Sequence, residues 1–169
     1  MIRFGEESVE KIVHWCLEHI PPSTNPAVLE VGSGNGTLLL AFAESGYDQT
    51  LLAGIDYCRD AVKLAAYIAQ NRNAAEVTFE ECDFLKNDPP LLPSMEVMGA
   101  PALWDLVLDK GTYDAIALGQ RDEKGKSPAA QYPTRVARFL KPGGILLITC
   151  KIHFRVALAN ELIDSLSIF

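Results

Sequence analysis

Four acidic residues, Glu30, Asp56, Asp83 and Asp109, each stand at or near the end of a short apolar run, the position from which a buried strand delivers side chains to a ligand. Glu30 is followed by Gly32-Ser33-Gly34-Asn35-Gly36. This spacing is G-x-G-x-G with Thr37 in the sixth place, whereas a dinucleotide loop has G-x-G-x-x-G. A diphosphate needs free backbone N–H groups at a helix start. A cationic cofactor without phosphate does not, and Gly32, Gly34 and Gly36 then serve for close backbone approach. Glu30 beside the loop adds negative potential. The combination favours S-adenosylmethionine, with its sulfonium and charged amino-acid tail, over a dinucleotide.

Asp56, in "AGIDYC", lies twenty residues past Gly36. A carboxylate at this point can accept both ribose hydroxyls, a feature shared by NAD sites, or it can simply cap a turn. Tyr57 can pack on an adenine or sit at the solvent edge. Asp83, in "FEECDFL", is placed to accept from the adenine amino group or to cap the following turn, and Phe84 beside it to cover the ring. Asp109, in "LVLDKGTYDAI", leaves its strand where methyl donor and acceptor would meet. It is expected either to hold the amino end of the cofactor or to orient the amine. Tyr113 is expected to line the mouth of the pocket or to pack as an ordinary aromatic. Lys110 is expected to be exposed, and Thr112 to be an N-cap.

The elements that must position these residues alternate along the chain. Ser8 to Ile20 places Val9, Ile12, Val13, Cys16, Leu17 and Ile20 on one helical face, and Pro21 and Pro22 end that helix. Strands are expected at Ala27–Val31, Thr50–Ile55, Glu76–Glu80, Trp104–Leu108 and Ile145–Thr149. Helices are expected at Thr37–Glu44, Asp60–Gln70, Thr112–Leu118 and Pro128–Leu140, the last with Val136, Phe139 and Leu140 toward the sheet. Asn87 to Ala102, with four prolines, reads as an insertion loop, Arg121 to Ser127 as a surface excursion, and Pro142-Gly143-Gly144 as a turn. Short apolar strands joined by long crossovers imply an α/β fold, a doubly wound and mostly parallel sheet covered by helices.

A chain of 169 residues suits one domain, and 49% apolar residues exclude a disordered chain. The formal charge of −7 argues against a nucleic-acid partner and allows attraction to a basic protein. No run is long enough to span a membrane, and the first residues do not form a secretory leader. Cys16, Cys58, Cys82 and Cys150 form no close pair and show no zinc spacing with His14, His19 or His153, so no metal is expected and all four read as buried free thiols of an intracellular protein.

Together these segments resemble the class I, seven-stranded methyltransferases, with their Rossmann-like sheet, through "VLEVGSGNG", "GIDY", "ECDFL" and "LKPGGILLIT". Within that class the chain is similar to the lysine methyltransferases of translation elongation factor 1-alpha, through "FGEES" at Phe4 to Ser8 and "DKGTYDAI" at Asp109 to Ile116. The resemblance covers roughly residues 4 to 150. It implies that Gly32, Gly34, Gly36 and Asp56 hold S-adenosylmethionine, that Asp83 is the acid after strand three and Glu30 the acid before the loop, and that Phe4, Gly5 and Glu6 belong to a segment lying over the cofactor. Arg3 stands where the family has Trp.

The resemblance also sets an expectation for the end of the chain. After "LLIT" the family continues through a helix to a final antiparallel hairpin, in the strand order 3-2-1-4-5-7-6. This sequence is atypical from about residue 150, reading "CKIHFRVALANELIDSLSIF" to Phe169. Val156 to Leu166 fits an amphipathic helix, strands six and seven are expected to be missing, and strand five to be an open apolar edge, as in an incomplete or truncated chain.

The activity implied is methyl transfer to a lysine amine of a protein, translation elongation factor 1-alpha, in the cytoplasm. The amine must be neutral, so desolvation and a proton acceptor are needed, with Asp109 orienting it and Tyr113 lining the site. The alternatives are a methyltransferase for a small amine or another protein, a non-catalytic binding protein that keeps the cofactor scaffold, and an NAD-type domain.

Overall fold

The computed structural model describes residues 4–93, 103–121, 123–149 and 154–158, with side chains described for all of these but 4–6 and 154–158. In chain order the elements are α1 (Phe4–His19), β1 (Val28–Val31), α2 (Thr37–Glu44), β2 (Leu52–Asp56), α3 (Arg59–Asn71), β3 (Thr78–Glu81), β4 (Trp104–Lys110), α4 (Thr112–Ala117), α5 (Tyr132–Phe139), β5 (Leu140–Thr149) and β6 (Phe154–Leu158).

The strands form one sheet in the order β3-β2-β1-β4-β5-β6. The first five are parallel, with Val31 opposite Ile55 on one side and Asp109 on the other. The doubly wound, mostly parallel architecture read from the sequence is therefore present. Every residue of β1 and β2 is buried, as expected of strands covered on both faces. One face packs Val28, Leu52, Leu106 and Leu108 against Ile12 and Cys16 of α1 and Leu38, Leu39 and Phe42 near α2. The other packs Leu29, Val31, Ile55 and Val107 against Phe84, Tyr132, Val136 and Phe139.

Several local expectations change. Leu17 is 41% exposed and lies off the buried stripe of α1. The helix expected over Pro128–Leu140 is a 3₁₀ turn (Pro128–Gln131) followed by α5, and Leu140 already belongs to β5. Pro142-Gly143-Gly144 lies inside β5: two steps along β4, Trp104 to Leu106, oppose five along β5, Leu140 to Ile145. The surplus residues bulge out, with Gly143 at φ +79°, so a turn sequence is accommodated within a strand. Cys16 and Cys82 are buried, but Cys58 is exposed because it is the N-cap residue of α3, beyond the sheet end. Cys150 lies outside the described residues. The insertion loop is anchored at its start, where Leu92 enters the core.

The largest correction concerns strand five. It is not an open edge: β6 pairs with it antiparallel, from Ile145 opposite Leu158 to Thr149 opposite Phe154. An apolar strand with a free row of backbone donors and acceptors is satisfied by the next extended segment, and an antiparallel return needs only a short connection. In the 3-2-1-4-5-7-6 order, β6 occupies the place of the last strand. Val156 to Leu158, expected to begin a helix, are thus extended, and the rest of that expected helix lies outside the described residues. No helix among the described residues is long and apolar enough to cross a membrane.

Candidate cofactor and active site

The carboxyl ends of β1, β2 and β4 open onto a pocket of about 380 Å³, within the range of small-molecule sites. Its walls include Gly32, Asp56, Tyr57, Asp83, Phe84 and Thr112. The topology thus brings together residues up to 80 positions apart in sequence at the one place where β1 and β4 neighbour each other and the crossovers diverge to opposite faces.

The glycine loop is shaped by hydrogen bonds to the protein itself. Gly32 N–H and Ser33 N–H both donate to Ile55 O (2.8 and 2.9 Å), and Gly36 N–H donates to Ser33 O. Gly34 N–H donates to Asp56 Oδ2 (2.9 Å). Gly32, at φ +73°, passes so close to α4 that a Cβ would lie 1.9 Å from Thr112 Oγ1. Gly34, at φ +54°, faces open space. Gly36 makes way for the Phe79 ring, which a Cβ would meet at 2.7 Å. Gly32 therefore makes room for α4 and Gly36 for β3, while Gly34 borders open space beside the loop.

Glu30 is fully buried beneath this loop. Burial pushes its carboxyl up to about 8, opposed by Lys110 and a Leu39 N–H bond and reinforced by Asp109 and Asp56. Oε2 has no hydrogen-bond partner, a costly state for a buried polar group and consistent with a carboxyl that keeps its proton. Asp56, 9% exposed, also accepts from Cys58 N–H at Oδ1 (2.8 Å), so it ties the loop to the turn after β2 while lining the pocket, and each oxygen keeps capacity for a further bond. Tyr57 is 81% exposed at the rim. Asp83 is half-buried, and its carboxylate accepts from Leu85 N–H (3.1 Å) and Lys86 Nζ (2.7 Å) while lining the pocket. Phe84 is buried, edge-on to Tyr132 with ring centroids 5.5 Å apart.

Asp109 is placed differently from the expectation. Strand alternation sends it to the face opposite Glu30, where it is 1% exposed. Oδ1 accepts from Thr112 N–H (2.7 Å), and Oδ2 from Tyr113 N–H (2.9 Å) and the Tyr132 hydroxyl (2.5 Å). It caps α4 from inside the core and is not part of the pocket lining. Burial raises its pKa to about 6 despite these three donors. Tyr113 packs edge-on to Tyr132 (5.4 Å), and the α4 residues at the pocket are Thr112, Ala115 and Ile116. Thr112 is the first residue of α4, not its N-cap, and its hydroxyl donates to Val31 O (2.8 Å). Lys110 is half-buried in the pocket wall. Among the described residues no group of His, Cys, Asp and Glu could hold a metal ion.

The residues that sequence reasoning missed are Tyr132 and Arg135. They lie one turn apart on a helix whose apolar stripe is its only sequence signal. A methyltransferase-domain profile matches residues 22–166. The chain belongs to the methyltransferase family. It is 37% identical over 160 residues to the protein-lysine N-methyltransferase efm4 of Schizosaccharomyces pombe, covering 86% of this chain and 63% of that protein. It is 35% identical to the EEF1A lysine methyltransferase 2 of Danio rerio, covering 88% and 57%. The chain therefore spans about 60% of the length of these relatives. In fold it is similar to a SAM-dependent methyltransferase of Geobacter sulfurreducens crystallised with S-adenosyl-L-homocysteine, at a TM-score of 0.58 and 24% identity, covering 84% of this chain and 47% of that one.

Proposed function

We propose that the chain binds S-adenosylmethionine in this pocket and transfers its methyl group to a lysine of a protein, translation elongation factor 1-alpha. One observation carries the cofactor reading. The N–H groups of Gly32, Ser33, Gly34 and Gly36 are all taken by protein acceptors, one of them a carboxylate. A loop that spends these four donors on the protein and ties a carboxylate to Gly34 favours a cation over a diphosphate. The relatives named as lysine methyltransferases of the elongation factor support the substrate reading.

In this arrangement Asp56 accepts from the ribose, Asp83 from the adenine amino group, and Tyr57 and Phe84 flank the ring. The backbone at Gly34 admits close approach, and a bound cation favours ionisation of the buried Glu30 carboxyl beside the loop. When bound, the cofactor supplies an electrophilic methyl group. The wall formed by Val31, Ile55 and Ile116 strips water from an incoming ammonium, and Lys110 adds like charge; both lower its pKa and favour the neutral amine. Asp109 enters as a positioning residue, because its oxygens hold the start of α4, and Tyr113 as its packing partner. The cytoplasm, where a translation factor is met, is the proposed location.

Calorimetry with S-adenosylmethionine and with NAD tests the cofactor, and binding of NAD alone would sink the reading. A labelled-methyl assay on purified elongation factor 1-alpha tests the substrate. Incorporation should fall at least about tenfold in Asp56→Ala, in keeping with loss of charge-assisted bonds; an unchanged rate refutes the role given to Asp56.

A further inference from the structure

Helix α5 contributes nothing to the pocket lining, yet it grips the wall that carries Asp83 and Phe84. Arg135 Nε donates to Phe84 O (2.9 Å), Nη1 to Asp88 Oδ1 (3.1 Å) and Nη2 to Asn87 O. Its guanidinium also lies over two rings, 5.4 Å from the centroid of Phe84 and 5.2 Å from that of Phe139. The Arg135 side chain is only 15% exposed. Arg138 shares Asp88, at Oδ2 (2.9 Å), but is 59% exposed and does not reach Phe84. Asp83 itself ties down 85–87, its carboxylate accepting from Leu85 N–H and its backbone carbonyl from Lys86 and Asn87 N–H, while the Arg135 fork holds 84, 87 and 88, so the two sets of bonds together fix the segment 84–88.

We propose that Arg135 is a positioning residue for the cofactor, holding residues 84–88 against α5 so that Asp83 and Phe84 keep their places in the pocket wall. The inference rests on the adenine end of the cofactor lying at that wall. A planar, five-donor fork with two aromatic neighbours is a geometry that only arginine satisfies. Lysine keeps the charge but offers one point donor, so it can reach Asp88 or a carbonyl and not the whole set. Loss of the fork frees the turn without removing any cofactor contact, and the cost appears in binding. Once the cofactor is bound at saturation the reacting atoms are placed as before, so turnover is spared.

The test is calorimetric titration of S-adenosyl-L-homocysteine into the whole protein and its Arg135→Ala, Arg135→Lys, Arg138→Ala and Asp83→Ala variants, each well below its thermal midpoint. Methyl transfer is then followed across cofactor concentrations. Arg135→Ala should raise Kd and the cofactor KM about tenfold, a loss of about 1.4 kcal/mol, with kcat within about twofold. Arg135→Lys should give a smaller rise in the same direction and serves if the alanine variant does not fold. Arg138→Ala should stay within about twofold of the parent Kd. A parent-like Kd in Arg135→Lys and Arg135→Ala beside a weakened Asp83→Ala overturns the proposal and leaves the adenine placement standing. A parent-like Kd in Asp83→Ala overturns that placement and the proposal with it. Equal weakening in the Arg135 and Arg138 alanine variants also overturns it, since only the shared ion pair would then matter.

Discussion

Gly32 and Gly34 stand two residues apart with similar left-handed backbones, yet substitution should separate them. At Gly34 a Cβ meets no protein atom, so Gly34→Ala carries only the conformational penalty, about 1 kcal/mol. At Gly32 the Cβ collides with Thr112 Oγ1, which cannot swing away without releasing Val31 O, and the cost should reach about 3 kcal/mol or more. Urea unfolding of the two variants checks the difference, and equal losses would mean that α4 does not press on the loop. Glu30 gives a second test at this scale. Its folded carboxyl sits near 8 against an ordinary 4.5, so the folded protein holds the extra proton between those values. Its contribution to stability is full below about 4.5, declines with rising pH, and is gone above about 8. Asp109 behaves likewise only up to about 6, which leaves the upper part of the window to Glu30. In Glu30→Gln, cofactor-free, the loss of stability from pH 5 to pH 9 should shrink by roughly 2–4 kcal/mol; an unchanged pH profile of thermal midpoints would show that Glu30 is ionised in the fold throughout. The acids Glu30, Asp56 and Asp83 were legible in the sequence because strand ends are located by apolar runs. What each carboxylate touches was not, because Asp109 meets Tyr132 across 23 residues and Arg135 meets Phe84 across 51, and no local pattern couples such pairs.

At the scale of elements, α4 depends on a cap that its own sequence does not contain. Its N-cap position is Gly111, which makes no side-chain bond, and the orphan N–H groups of Thr112 and Tyr113 are satisfied by Asp109 from the preceding strand. Tyr132 of α5 holds that carboxylate in turn. Tyr132→Phe keeps the ring among Phe84 and Tyr113 and removes only the hydroxyl, so it should cost about 2 kcal/mol by withdrawing a donor from a buried carboxylate. The thermal midpoint should drop most at pH above 6, where Asp109 is ionised, and little at pH 4; a pH-independent drop would assign the loss to packing. The parallel strands and the helices α1, α2 and α3 were readable from periodicity to within a few residues. The join of α5 to β5 was not, because Leu140 serves both the helical stripe and the strand, and the bulge at Pro142-Gly143-Gly144 looks like a turn from the sequence alone. The strand β6 was missed because a run such as "FRVAL" carries no period that separates helix from strand, and the deciding term is the unpaired edge of β5, a property of the sheet.

At the scale of the whole molecule, the formal charge of −7 would act on the proposed target lysine before any contact forms, whereas the charges at the cofactor loop act at close range. Asp56 is nearly buried, and buried charges are screened far less by salt than those on the surface. Ionic strength should therefore divide the two substrates. Raising it from roughly 0.05 M to roughly 0.3 M shortens the screening length about 2.5-fold, and the KM for the protein target should rise several-fold through a slower encounter. The cofactor KM should change by less than about twofold over the same range, since its partners lie inside the pocket wall. Methyl-transfer kinetics at fixed saturating cofactor, then at fixed saturating target, separate the terms. A target KM that ignores salt would show that the acidic surface does not steer the target. A cofactor KM that climbs with it would place the cofactor's charged end at the rim beside Tyr57, and not over Glu30 and Gly34.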